Sequence, residues 1–172
     1  MTGQSPRELL RAARAADRRS NANYPKSRFV LRWFRLAAYW RGRRGPLARA
    51  VFAIVGGGYK LVTETLMGFE LPASTEVGPG LRLRHGFGVV VNPATRIGAN
   101  VMLRQGVTLG NRIASTDCPT IEDDVEIGVG AVIIGAVTIG RGARIGPNAV
   151  VFRDVPAGAT VASPTSEVRL PG

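Results

Sequence analysis

The sequence predicts a mostly-β protein, a parallel β-helix preceded by an N-terminal α-helical segment. Three observations predict it. An aliphatic residue returns every sixth position through the second half of the chain, glycine recurs beside it, and the excess positive charge is confined to the first part, where helical patterns replace the repeat.

The helical segment occupies residues 1–70. Ser5-Pro6-Arg7-Glu8 is a capping box with proline at the first helical position, so a helix starts there and runs to about Ser20. A second covers Arg28 to Arg41, with Arg28, Arg32 and Arg35 on one stripe and Phe29, Trp33, Ala37 and Trp40 on another. Pro46 opens a third toward Met67, weakened in its middle by Gly56-Gly57-Gly58. Residues 1–70 hold 14 Lys/Arg against 4 Asp/Glu and residues 71–172 hold 9 against 8, so +10 of the +11 charge belongs to the helical segment. Two readings of the second helix stand side by side: an interfacial helix lying on an anionic membrane, and a surface helix whose aromatic stripe packs on its neighbours. Nucleic acid is not an expected partner, because no reader motif accompanies the charge.

The β-helix follows over residues 71–156. Its six-residue series runs Leu71, Val77, Leu83, Val89, Thr95, Val101 and Val107, then resumes at Ile121, Ile127, Ile133, Ile139, Ile145 and Val151. Gly78, Gly128, Gly140 and Gly146 directly follow a member of the series, and small or branched residues such as Thr75, Ala99, Val125, Ala131 and Ala143 sit four after one. No α-helix has a six-residue apolar period, and strand alternation does not explain the glycines. Short parallel strands joined at tight corners explain both, each hexad forming one face of a triangular prism. The early turns are the weakest, with Phe87 and Pro93 in the small-residue slot. The interval from Val107 to Ile121 exceeds two hexads by two residues, which predicts a loop over 113–120 thrown out from a corner. Residues 157–172 form a C-terminal tail.

Composition narrows the function classes. A single cysteine, Cys118, excludes an intrachain disulfide and argues against a Cys-rich metal site, so no metal is expected. The polar N-terminus predicts no secretory signal, and the apolar run Ala50 to Tyr59 is too short for a membrane span, which needs about 20 residues. The expected location is the cytoplasm, extending to peripheral attachment at the inner face of its membrane. A prism with flat faces and open ends also predicts self-association.

The segments Leu81-Arg-Leu-Arg-His85-Gly-Phe-Gly-Val-Val-Val-Asn92, Val107-Thr-Leu-Gly110, Cys118-Pro-Thr-Ile121 and Ile127-Gly-Val-Gly130 resemble the serine acetyltransferase group of hexapeptide-repeat acyltransferases. Within that group the chain is most similar to the colanic-acid-type exopolysaccharide acetyltransferases. The likeness reaches back into Thr63-Glu-Thr-Leu-Met-Gly-Phe-Glu-Leu71. It implies a left-handed β-helix, a homotrimer with sites between neighbouring prisms, and acetyl-CoA as donor. The single histidine, His85, would be the general base, taking the proton of an acceptor hydroxyl as it attacks the thioester directly. Backbone N–H groups near Gly110 would stabilise the oxyanion. The resemblance also places Gly110, Asn111, Val129 and Gly135 along the pantetheine arm, and Arg144 at a CoA phosphate.

Three departures from the serine enzymes matter. Arg84 stands where they have a carboxylate before the histidine, Cys118 where they have a second histidine, and Asp117 where they have arginine. Glu70 keeps a carboxylate at a third position; it either orients His85 or binds substrate, or is merely solvated. These departures on the acceptor side (Arg84, Asp117, Cys118) shift the expected acceptor from serine to a sugar hydroxyl, on a glycan or lipid-linked sugar. Cys118 reads as a small buried filler at the loop base in preference to a nucleophile, since nothing nearby lowers its pKa. The alternatives are a serine O-acetyltransferase-like enzyme, an acyltransferase fed by an acidic acyl carrier protein docked on the basic helices, and a structural β-helix scaffold without activity. A zinc hydratase on this fold would need three histidines and is excluded by one.

Overall fold

The computed structural model describes residues 5–163. Three helices come first: α1 (Pro6–Ser20), α2 (Pro25–Arg41) and α3 (Pro46–Lys60), the last continued by a π-helical turn over Leu61–Leu66. Each begins on a proline, whose missing N–H would have had no intrahelical partner there. The expected capping box closes in both directions, Ser5 N–H donating to Glu8 Oε2 at 2.6 Å and Glu8 N–H to Ser5 Oγ at 3.3 Å. The glycines of α3 do not break the helix. Gly58 lies where Trp33 of α2 crosses, and a Cβ there would stand 3.1 Å from the indole ring, so the small residue lets the helices close. Among the described residues no helix is long and apolar enough to cross a membrane.

The chain then winds through three parallel sheets. The first stacks β1 (Glu76–Val77), β4 (Arg96–Ile97), β7 (Thr120–Ile121) and β10 (Thr138–Ile139). The second stacks β2 (Arg82–Arg84), β5 (Met102–Arg104), β8 (Glu126–Ile127), β11 (Arg144–Ile145) and β13 (Thr160–Val161). The third stacks β3 (Val90–Val91), β6 (Thr108–Gly110), β9 (Val132–Ile134) and β12 (Val150–Val151). Side chains alternate in and out on each strand. Leu83, Leu103, Ile127 and Ile145 therefore form one buried row, and Val91, Leu109, Ile133 and Val151 another.

The six-residue series read from the sequence mixes two such rows. Leu83 and Val91 lie eight apart, whereas the Leu103 and Leu109 stacked on them lie six apart, so the corner after β2 holds two extra residues. Leu109 and Ile121 lie twelve apart, so the corner after β6 holds six extra. Val89, Thr95, Val101 and Val107 belong to the second inner row, two residues before each inward strand residue, which Val125, Ala131 and Ala143 fill later. Because that row is also branched in the early coils, a six-residue count crosses between rows without a visible fault. Phe87 and Pro93 are corner residues, outside the small-residue row. The loop ends at Pro119, since Thr120 is already in β7, and β13 lies beyond Pro156, the expected end of the β-helix. Residues 164–172 of the expected tail lie outside the described residues.

The helices close the first coil. Arg35 donates to both carboxylate oxygens of Asp17 (2.8 and 3.1 Å) and to the carbonyls of Val77 and Gly78 (2.6 Å each). Asp17 also accepts Gly80 N–H at 2.9 Å. Asn21 accepts Leu83 N–H at 3.1 Å and donates to Leu81 carbonyl at 2.8 Å, as a neighbouring strand would. Ser27 donates to Leu83 carbonyl and Tyr59 to Leu71 carbonyl, at 2.9 and 2.8 Å. Of the basic stripe expected on α2, Arg35 is thus turned inward, and Trp33 packs on Tyr59 and donates to Val55 carbonyl. Only Arg28 and Arg32 of that stripe face solvent.

Asp17 and Arg35 are both nearly inaccessible, at 3% and 8%. Asp17→Ala leaves a buried guanidinium without its counter-charge and is expected to cost about 3–5 kcal/mol, read as a lower urea midpoint. An unchanged midpoint would remove the ion pair from the account of the cap.

Candidate active site

The two-residue insertion is the corner that carries His85. In later coils this corner places one residue in the left-handed conformation: Gly106 (φ 71°), Gly130 (φ 66°) and Asn148 (φ 55°), stacked in line with Gly88 (φ 65°). The first coil has a second such residue, His85 itself at φ 62°. A non-glycine residue held there costs on the order of 1–3 kcal/mol, and such strain concentrates at functional positions. The insertion turns the imidazole out of the prism, where it is exposed.

A pocket of about 230 Å³ lies beside it, between the corner and the start of α2. Val30, Met67, Phe69 and Leu83 give it an apolar lining, and Tyr24, Lys26 and Phe87 form its rim. Tyr24 meets the imidazole edge-on with ring centroids 6.2 Å apart. Arg84, immediately before His85, stacks on Tyr24: its guanidinium sits 4.1 Å from the ring centroid and donates to Asn21 Oδ1 and Ser20 carbonyl. Lys26 Nζ lies 3.2 Å from the centroid of Phe87. Arg84 therefore fixes the segment between α1 and α2, which in turn places Tyr24 against His85. Tyr24, Lys26 and Phe69 were not singled out in the sequence. The sequence pattern starts the second helix at Arg28, whereas α2 begins at Pro25 with Tyr24 at its N-cap, and nothing in the hexads points to a helix linker standing over a corner.

The other expected site residues are dispersed. Glu70 is exposed; its backbone bridges Val90 at the head of the third sheet, and its carboxylate makes no bond to His85 among the described residues. Gly110, Asn111 and Gly135 come together at the far edge of that sheet, Gly135 N–H donating to Gly110 carbonyl at 3.0 Å. Asn111 Oδ1 accepts from Asn92 Nδ2 at 3.2 Å. Val129 instead lies on the His85 edge, where the stacked corners of Gln105, Val129 and Asn148 are linked by backbone hydrogen bonds. Arg144 is exposed on the second sheet, away from both edges.

Asp117 and Cys118 close the six-residue insertion. Asp117 Oδ1 accepts Ala136 N–H and so ties the loop to the next coil. The Cys118 thiol lies 3.6 Å from Ser115 carbonyl. Burial raises its pKa, and the charge of Asp117 adds to the effect. It is therefore a protonated thiol at neutral pH, at the opposite edge of the third sheet from His85. Iodoacetamide is expected to label it several-fold more slowly than free cysteine at pH 8, and labelling as fast as free cysteine would return it to the candidate nucleophiles.

Comparison with known proteins bears on this arrangement. The family described as "Bacterial transferase hexapeptide (six repeats)" matches residues 118–153. A serine acetyltransferase of Bacillus licheniformis is 38% identical over 126 residues, 72% of this chain and 55% of that protein. WcaB of Escherichia coli, assigned an acetyltransferase role in colanic acid biosynthesis, is 34% identical over 113 residues, 65% of this chain and 70% of that protein. The soybean serine acetyltransferase apoenzyme superposes with a TM-score of 0.71 at 31% identity, over 91% of this chain and 67% of that one. Against the serine acetyltransferases of Bacillus licheniformis and Helicobacter pylori, the chain spans only somewhat over half of each relative's length, 55% and 57%.

Proposed function

Because the chain belongs to the hexapeptide-repeat acetyltransferases of the serine acetyltransferase group, we propose that it moves an acetyl group from acetyl-CoA to a sugar hydroxyl. The observation that supports this most is His85, held out of the prism by an inserted corner beside an aromatic-rimmed pocket. In this reading the imidazole accepts the proton of the acceptor hydroxyl as its oxygen bonds to the thioester carbonyl. The tetrahedral adduct collapses, the C–S bond breaks, and the CoA sulfur leaves with the proton from the imidazolium. The product is an O-acetyl ester and free CoA, with no acyl-enzyme. Tyr24, whose ring meets the imidazole edge-on, positions it.

The acceptor is the finer question. Serine has the support of the relatives' names and is the second reading. A glycan has the support of Arg84, which is committed to Asn21, Ser20 and Tyr24, and of Cys118, a buried thiol where a second histidine would stand. His85→Ala is expected to lower acetyl transfer about 100-fold or more with CoA binding intact, in a thiol-release assay run over serine, free sugars, nucleotide sugars and lipid-linked glycans. Turnover restricted to serine would replace the glycan by serine. Full activity in His85→Ala would remove the base.

The third sheet supports self-association. Its outward side chains include Val90, Thr108, Val132, Ile134 and Val150, whereas the first sheet presents Glu76 and Arg96 and the second Arg82, Glu126 and Arg144. Val150 is 59% accessible and neighbouring Phe152 47%. A homotrimer closed around this face would bring the His85 edge of one copy toward the Gly110–Gly135 edge of another, joining the halves that a single chain keeps apart. The double change Val132→Asp, Val150→Asp is expected to reduce the mass seen by light scattering to that of one chain and to abolish acetyl transfer. A monomeric parent chain, or an unchanged assembly in the variant, would refute this interface.

A further inference from the structure

A groove of about 570 Å³ runs between α1 and α2, on the other side of Pro25 from the His85 pocket. Arg14 and Arg18 line it from α1, and Arg28 and Arg32 from α2. Each is an i,i+4 pair of like charge, an arrangement that destabilises a helix by a few tenths of a kcal/mol. Two such pairs facing one groove add to one another. None of the four has a carboxylate within ion-pair distance among the described residues. The single acidic residue in the wall, Asp17, is already saturated by Arg35 and Gly80 N–H. The groove therefore holds four guanidinium groups and no compensating charge.

Two features describe what would fill it. Planar guanidinium forks match phosphoryl oxygens bidentately, and four of them exceed what one phosphate uses. Phe29 stands in the wall at 53% accessibility, an apolar surface for the organic group that the anion carries.

We propose that this groove binds a diphosphate group. Both a soluble nucleoside diphosphate and a diphosphate-capped polyprenol carry that chemistry. Because the claim concerns binding, it stands or falls apart from the role of His85.

The test is calorimetric titration of the full chain with inorganic pyrophosphate at constant ionic strength, against the same chain carrying Arg28→Gln and Arg32→Gln. The side chains of these arginines make no hydrogen bonds or ion pairs among the described residues, and Gln relieves a like-charge pair, so the variant is expected to melt no lower than the parent. Pyrophosphate is expected to bind the parent and to bind the variant at least ten-fold more weakly. Titration with UDP and with a detergent-solubilised diphosphate polyprenol then identifies the source by the tighter of the two. Equal pyrophosphate affinity in parent and variant overturns the proposal. So does sedimentation with phosphatidylglycerol vesicles that depends on Arg28 and Arg32 while pyrophosphate does not bind, which would make the groove a contact for a lipid surface.

Discussion

Among the described residues β2 has no strand on its outer side, and the rest of the structure depends on how its backbone is satisfied. A solenoid pairs each coil with the next, so the first coil leaves N–H and carbonyl groups facing outward, and an open parallel edge invites pairing with another chain. Here the edge is occupied by side chains. Asn21 reproduces the two bonds of a strand to Leu81 and Leu83, Ser27 takes another carbonyl, and Arg35, locked to Asp17, takes those of Val77 and Gly78. Polar groups buried this deeply are tolerable only because each is bonded. The cap therefore specifies where the helices sit: only one placement gives every one of these groups its partner.

That placement also builds the site. Asn21 lies three residues before Tyr24, in the short link between α1 and α2, and Arg84 grips both ends of the arrangement next to His85. The His85 corner and the cap share residues, so rigidity at the edge is transmitted to the imidazole. Beside His85 stand the edge of the Tyr24 ring and, over that ring, the Arg84 guanidinium.

Much of this architecture is readable from the residues, and the misreadings have definite physical causes. Proline starts, the Ser5–Glu8 box and the recurrent inward aliphatics announce helices and prism because each depends on local chemistry. The register was not legible, because two neighbouring rows of the early coils are both branched. Val89 and Val91 are both buried, and only strand pairing tells which is directly inward. The stripe of Arg28, Arg32 and Arg35 misled for a similar reason: helical periodicity puts the three on one face without saying that Asp17 draws the third inward. Tyr24 was invisible because its role is set by a contact across a distance of sixty residues.

The two lengthened corners have a consequence for how such a protein can change. Each strand bonds only to the strands stacked on it, so adding two residues after β2 or six after β6 leaves every row aligned above and below. The scaffold is thus indifferent to what its corners contain. Mutation can rewrite the His85 turn or the Asn111–Pro119 turn separately, by insertion as readily as by substitution, while the core that makes the fold stable is untouched. Divergence of substrate on an unaltered prism is the evolutionary behaviour that this geometry favours.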